Sequence, residues 1–289
     1  MDAAIAVTGV VVIGLMMSEV FKDLFHPSDS SALTDWLGRR LFNLFRPHRP
    51  LLTLAGPLTV VVVILVWVTV LVIGFALVYY QWYPDGFRTS LGVVPAPAPR
   101  LWTALYFSFE TLVTLGYGDL VPNDLALRFI SVFESLIGFG LLTASVSSIV
   151  LLYPALSRLR LLALEVAQLT ASEEYAGISV AASGSHEVVF GLAQQVTSTV
   201  VDLVHFPVIY YFAARDPTAS IARWTLWLDR LACDGRQDRS PAMRMAAGAL
   251  DCALDDLAAL FKHRFVHADH DERRTIFEAL AKDHAVDLA

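Results

Sequence analysis

The 289-residue chain is 56% apolar and 17% charged, with a mean hydropathy of +0.56. Soluble domains run at about 45–50% apolar and about 25% charged, so composition excludes an ordinary soluble protein. The net charge is −7, and residues 155–289 hold 13 Lys/Arg against 18 Asp/Glu, which argues against a nucleic-acid surface.

Taken in chain order, the first apolar segment is Ala3–Val20, whose uninterrupted run stops at Met17. It reads either as a transmembrane helix or as an amphipathic helix lying on the membrane. The Met1-Asp2 start and the Ser18-Glu19-Val20-Phe21-Lys22 exit do not fit a signal peptide. A basic linker follows, with Arg39, Arg40, Arg46 and Arg49. From Leu58 to Tyr80 there is no charge, a stretch longer than the roughly 20 residues a helix needs to cross hydrocarbon. Tyr79, Tyr80, Trp82 and Tyr83 form an aromatic belt at its end.

The connection from Gln81 to Asn123 carries only two basic residues, Arg88 and Arg100. Basic residues favour the cytoplasmic side, so this connection is expected outside, with the Arg-rich linker and the C-terminal region inside. Three crossings would place the N-terminus outside, and an interfacial first helix would place it inside. Val93–Pro99, "VVPAPAP", is an extended approach to "RLWTALYFSFETLV", a helical pattern too short to span and therefore expected to be re-entrant. Then comes "TLGYGDLVP", Gly-containing and loop-like, ahead of a last apolar segment. Non-helical backbone at membrane depth is tolerated only inside protein or beside a water-filled path, so its carbonyls need a partner.

Phe129–Tyr153 carries one charge, Glu134. An acid inside a membrane is by default a functional candidate; here it is expected to neutralise Arg128 or to hydrogen-bond near the loop. Leu136, Gly140, Thr143, Ser147 and Leu151 recur at spacings of three and four and share one helix face. That face reads as pore lining and gate, or as plain helix packing. The helix is expected to continue over Pro154–Ala176, followed by a loose joint, "GISVAASGS", and helices near 187–204, 217–233, 241–262 and 271–284. Ser185, Asp216-Pro217 and Ser240-Pro241 supply start signals, and Leu250, Leu254, Leu257 and Phe261 share a face. Cys233 and Cys252 read as reduced and structural. His263, His267 and His270, with Asp269 and Asp271, match no zinc spacing. No catalytic grouping, voltage-sensor helix or dinucleotide-binding fingerprint emerges, and an enzyme is not expected.

"Thr114-Leu115-Gly116-Tyr117-Gly118-Asp119" resembles the selectivity-filter signature of potassium channels, and residues 58–153 follow that family's order of outer helix, pore helix, filter and inner helix. The resemblance implies an all-α membrane protein, a potassium-channel pore module plus a helical cytosolic domain. Its expected divisions are an N-terminal helix (1–25), a basic cytoplasmic linker (26–56), the pore domain (57–154) and the C-terminal domain (155–289). It implies that Thr114, Leu115, Gly116, Tyr117 and Gly118 bind potassium, the only metal expected, and that the Tyr117 ring packs outward. Glu110 and Asp119 would support the filter by sharing a proton or water, or else be a satisfied acid and a solvated mouth charge. Leu115 stands where valine is usual and Val113 where threonine is common. A hinge glycine of the family falls at Ser135, although Gly138 and Gly140 could permit bending. Four filter strands are needed around one axis, so a homotetramer in a lipid bilayer is implied, without cofactor or nucleic acid. The rival readings are a pore-loop cation transporter subunit, or a membrane sensor whose C-terminal domain binds a ligand or partner. The gating stimulus is not legible.

Overall fold

In a computed structural model, the described residues are 2–25, 32–47, 49–90, 99–214, 216, 219–266 and 272–284. The Pro-rich approach at 93–98, Pro217, and His267, Asp269, His270 and Asp271 lie outside them. The elements are α1 (Asp2–Phe25), α2 (Ala32–Phe45), a single turn α3 (Arg49–Leu52), α4 (Ala55–Tyr80), β1 (Phe87–Thr89), α5 (Arg100–Leu112), β2 (Leu120–Pro122), α6 (Leu125–Ala176), α7 (His186–His205), a 3₁₀ turn (Pro207–Tyr211), α8 (Ile221–Arg236), α9 (Pro241–Arg264) and α10 (Arg273–Asp283). Among the described residues three helices are long and apolar enough to cross a membrane: α1 over Ala3–Asp23, α4 and α6. The chain divides into two compact units, 1–34 with 61–150, and 35–60 with 151–289.

In the first unit α1 is packed along α4. A Cβ on Gly9 would lie 2.5 Å from the Gly74 carbonyl oxygen, and one on Gly74 would lie 2.7 Å from Ile13. Gly9 also faces Leu77 and Val78, so the two helices run antiparallel. Small residues at such a crossing let backbones approach where lipid gives no hydrophobic drive. The opposite face of α1 leaves Val7, Val10, Val11 and Leu15 exposed. The short helix α5 rests on a core of Phe75, Ala76, Tyr79, Ala104, Phe107 and Leu127. Phe107 meets Tyr79 edge-on at 4.9 Å and Phe87 at 4.9 Å.

The second unit is helical. Leu250, Leu254, Leu257 and Phe261 on α9 are buried together, on the face the spacing predicted. Ser240 caps α9 by accepting from the Met243 N–H, with Pro241 at the first helical position. By contrast, α8 starts at Ile221, after the Asp216-Pro217 signal, with Ser220 at the N-cap position. Arg273 of α10 pairs with Asp251 and Asp255 (2.8 Å each) and with Asp229 of α8, tying α8, α9 and α10 together.

The joint at 177–185, expected to be loose, is fastened. Glu173 accepts from the Val180 N–H (2.7 Å), the Trp227 indole (3.0 Å) and Arg230 (3.2 Å), while Val180 and Ala181 are buried. The basic linker also holds structure that no motif announced. Phe42 of α2 is buried against Tyr210 and Tyr211 at 5.8 and 5.6 Å. A Cβ on Gly38 would meet the Tyr211 ring at 2.3 Å, and one on Gly56 would meet the Phe212 ring at 2.3 Å. Arg46 pairs with Asp283 (2.7 Å), which also accepts from the Tyr210 hydroxyl (2.9 Å), and the His284 ring stands edge-on to Tyr210 at 5.0 Å.

Candidate functional site

The site begins at the C-terminus of α5. After Leu112 the helix unwinds, and the Leu115 N–H returns to the Glu110 carbonyl at 2.8 Å. The chain then runs through Gly118 without regular secondary structure. Within it every second residue has a positive φ: Thr114 (57°), Gly116 (57°) and Gly118 (73°). In an ordinary strand successive carbonyls alternate sides; reversing φ at alternate residues turns them toward one side. Glycine takes this conformation without penalty, whereas a β-branched threonine does so at a cost. A Cβ at Gly116 or Gly118 would find open space, so φ rather than crowding demands glycine there.

The strand's exit is anchored by a two-stranded ribbon, in which Phe87 pairs with Pro122, Arg88 with Val121 and Thr89 with Leu120. The Ser90 N–H donates to the Asp119 carbonyl at 2.9 Å, and the Asn123 N–H to the Gly86 carbonyl at 2.8 Å. The Asp119 carboxylate accepts from the Leu120 N–H (3.0 Å) and from the Tyr106 hydroxyl (3.0 Å). Glu110 is buried one helical turn after Tyr106, and its Oε2 has no hydrogen-bond partner among the described residues. Tyr106 was missed by sequence reading, although its i, i+4 spacing to Glu110 was a usable signal. Leu115 and Tyr117 are exposed in the single chain. A hollow of about 380 Å³ beside the strand is lined by Glu110, Thr111, Thr114, Gly116 and Gly118, and by Ser131 and Ser135 of α6.

A family model described as "Ion channel" matches residues 65–153. Residues 65–153 are thus similar to an ion-channel pore module, and the relatives matched include potassium channels. "Two pore potassium channel c" of Oryza sativa is 38% identical over 72 residues, 25% of this chain and 15% of that protein. "Two-pore potassium channel 2" of Arabidopsis thaliana is 40% identical over 47 residues, 16% of this chain and 11% of that one. A Bacillus subtilis membrane protein, YdjJ, described as uncharacterized, is 28% identical over 138 residues, covering 47% of this chain and 39% of its own length. The chain thus spans well under half the length of the curated relatives it matches. No solved structure matches it.

In this pore module α6 supports α5 at two points. The Ser135 hydroxyl donates to the Thr111 carbonyl at 3.0 Å, and a Cβ on Gly138 would lie 1.8 Å from the Leu112 carbonyl oxygen. Gly138 therefore makes room for the end of the pore helix within an α6 that is helical from Leu125 to Ala176. Glu134 is fully buried, and Arg128 bonds instead to the Pro122 carbonyl. The acid contacts the Tyr79 hydroxyl at 2.7 Å and the Ser108 hydroxyl at 2.6 Å, taking the hydrogen-bonding role of the two expected for it.

Of the expected lining face, Leu136, Gly140, Thr143, Ser147 and Leu151 are all exposed in the single chain. The Thr143 and Ser147 hydroxyls bond the carbonyls of Phe139 and Thr143 in their own helix, both at 2.9 Å. Leu136 and Gly140 also border an apolar crevice of about 300 Å³ shared with Met17, Val20 and Phe21 of α1 and Leu71 of α4.

Proposed function

We propose that this chain is one subunit of a potassium-selective homotetrameric channel without a voltage-sensor helix. Four copies of the 114–118 strand surround one axis, and the carbonyls of Thr114, Leu115, Gly116 and Tyr117, with the Thr114 hydroxyl, replace the hydration shell of potassium. The alternation of positive φ at Thr114, Gly116 and Gly118 carries this reading, because reversing φ at alternate residues is what turns successive main-chain oxygens toward one side. Conduction is passive. Asp119, held by the Tyr106 hydroxyl, and Glu110, buried on the same helix, support the strand, and the polar positions of the inner helix line the path below the filter.

The basic linker and the C-terminal unit lie in the cytoplasm, in keeping with the balance of arginines across the connections. Residues 35–60 and 151–289 form one compact unit that includes the foot of the outer helix, so this unit is the natural input for gating.

Purified protein in liposomes tests the proposal. Potassium flux exceeding sodium flux, independent of any coupling ion and abolished by Gly116→Ala, is expected. Equal flux of the two ions refutes selectivity, and failure of the chain to cross-link as a tetramer refutes the assembly.

A further inference from the structure

The buried acid Glu134 sits where three helices of the pore module meet. Its Oε2 contacts the Tyr79 hydroxyl of α4 at 2.7 Å, and its Oε1 contacts the Ser108 hydroxyl of α5 at 2.6 Å. Ser108 Oγ also lies 3.0 Å from the Val72 carbonyl oxygen of α4. All three polar side chains are fully buried.

Each of these contacts needs one hydrogen. A carbonyl oxygen supplies none, and a hydroxyl supplies one. Tyr79 and Ser108 together bring two hydrogens to three contacts, so the third must come from Glu134. With an ionised carboxylate, Ser108 would turn its hydrogen to Glu134 and leave lone pairs facing lone pairs against Val72. A protonated acid satisfies every group along one direction: Tyr79 O–H to Glu134 Oε2, Glu134 Oε1–H to Ser108 Oγ, and Ser108 O–H to the Val72 carbonyl. The surroundings agree. Among the described residues no cation pairs with Glu134, and an ionised carboxylate buried without one costs several kcal/mol.

We infer that Glu134 is a neutral, hydrogen-donating carboxylic acid that positions the pore helix against the outer and inner helices. Ser108 lies a half-turn before Glu110 and a turn and a half before the strand that starts at Thr114. The chain of bonds therefore sets the depth and rotation of the element from which the filter is hung. Glu134 is a positioning residue and touches no ion.

The inference rests on the proposed channel function only for its flux readout, and an infrared readout is independent of it. In the spectrum of the reconstituted wild type minus that of Glu134→Gln, a protonated-acid C=O band is expected at neutral pH. Tyr79→Phe and Ser108→Ala should each shift that band, because each removes a neighbour. A carboxylate band in its place overturns the protonation assignment. In liposomes, Glu134→Gln should keep the wild-type potassium-to-sodium ratio, since its amide N–H donates where the acid O–H did. Ser108→Ala and Glu134→Ala should lower that ratio about tenfold, as loss of a buried hydrogen bond would. Unchanged selectivity in Ser108→Ala, with tetramers intact, overturns the positioning role. A wild type that shows the acid band but no flux strikes the channel proposal and leaves the proton assignment standing.

Discussion

Gly138→Ala offers the sharpest test of the pore architecture, because Gly140 two residues later provides a matched control. In a helix interior, alanine is favoured over glycine by about 1 kcal/mol. At Gly140 nothing lies within 4 Å of the added carbon, so that gain stands. At Gly138 the new carbon would sit 1.8 Å from the Leu112 carbonyl oxygen and 2.8 Å from its carbonyl carbon. Relief requires the pore helix and α6 to separate by on the order of 1 Å, and overpacking of this kind costs about 1–3 kcal/mol. Because the obstacle is backbone, the upper end of that range applies. Gly140→Ala should therefore melt above the wild type and Gly138→Ala below it, with about 3 kcal/mol between them. Tryptophan fluorescence of the solubilised protein during heating measures the order. Flux measurements should show the potassium-to-sodium ratio falling in Gly138→Ala alone. If the two variants melt together, or if Gly138→Ala changes only how often the pore opens, Gly138 is a hinge and the close-contact reading is wrong.

Tyr106→Phe removes the hydroxyl that donates to Asp119 and should lower potassium selectivity several-fold, the scale of one hydrogen bond of about 1 kcal/mol, as read by liposome flux. Leu115→Val should leave potassium flux within about twofold of wild type, because that side chain is exposed and the N–H it leaves in place holds the turn. Burial, reinforced by Arg46, pushes the His284 imidazole down to about 4. The folded C-terminal unit therefore binds fewer protons than the unfolded chain between that value and the ordinary histidine range near pH 6.5, so its stability is fully present above about pH 6.5 and falls as the pH drops through this window. His284→Gln should flatten a plot of melting temperature against pH there, and an unchanged slope would count against the assignment. Phe212→Ala removes a half-buried ring packed against Gly56 and should destabilise the unit by about 1–3 kcal/mol, less than truncation of a fully buried phenylalanine, measured by chemical denaturation.

How much of this was legible in the chain depended on the range of the forces involved. The spans of α4 and α6 were readable because hydrocarbon thickness sets a local length criterion, and the strand at 114–118 because its conformation is written in adjacent residues. The α9 face was readable from four residues at helical spacing. The role of α2 was not: its arginines read as a linker, and Phe42 acquires meaning only from Tyr210 and Tyr211, far along the chain. Glu134 stood out as an intramembrane acid, yet its partners lie 55 and 26 residues away. Gly138 looked like a bending point because helix glycines often are; that a carbonyl fills its missing side chain is visible only in three dimensions. The joint at 177–185 has loop composition, and no local signal shows that Glu173 fastens it.

Thr114, a β-branched residue held at a φ of 57°, carries a cost of about 1–2 kcal/mol that its neighbouring glycines escape. In a tetramer that cost recurs four times around one axis, about 4–8 kcal/mol in all. Such a strand is a loaded catch, and something must hold it. In the proposed assembly the holder is the permeant ion, which binds the strained form and not a relaxed one, so it stabilises the fold by mass action. On that proposal potassium is a constituent of the architecture as well as its traffic, and the salt in which the protein is made becomes part of its structure.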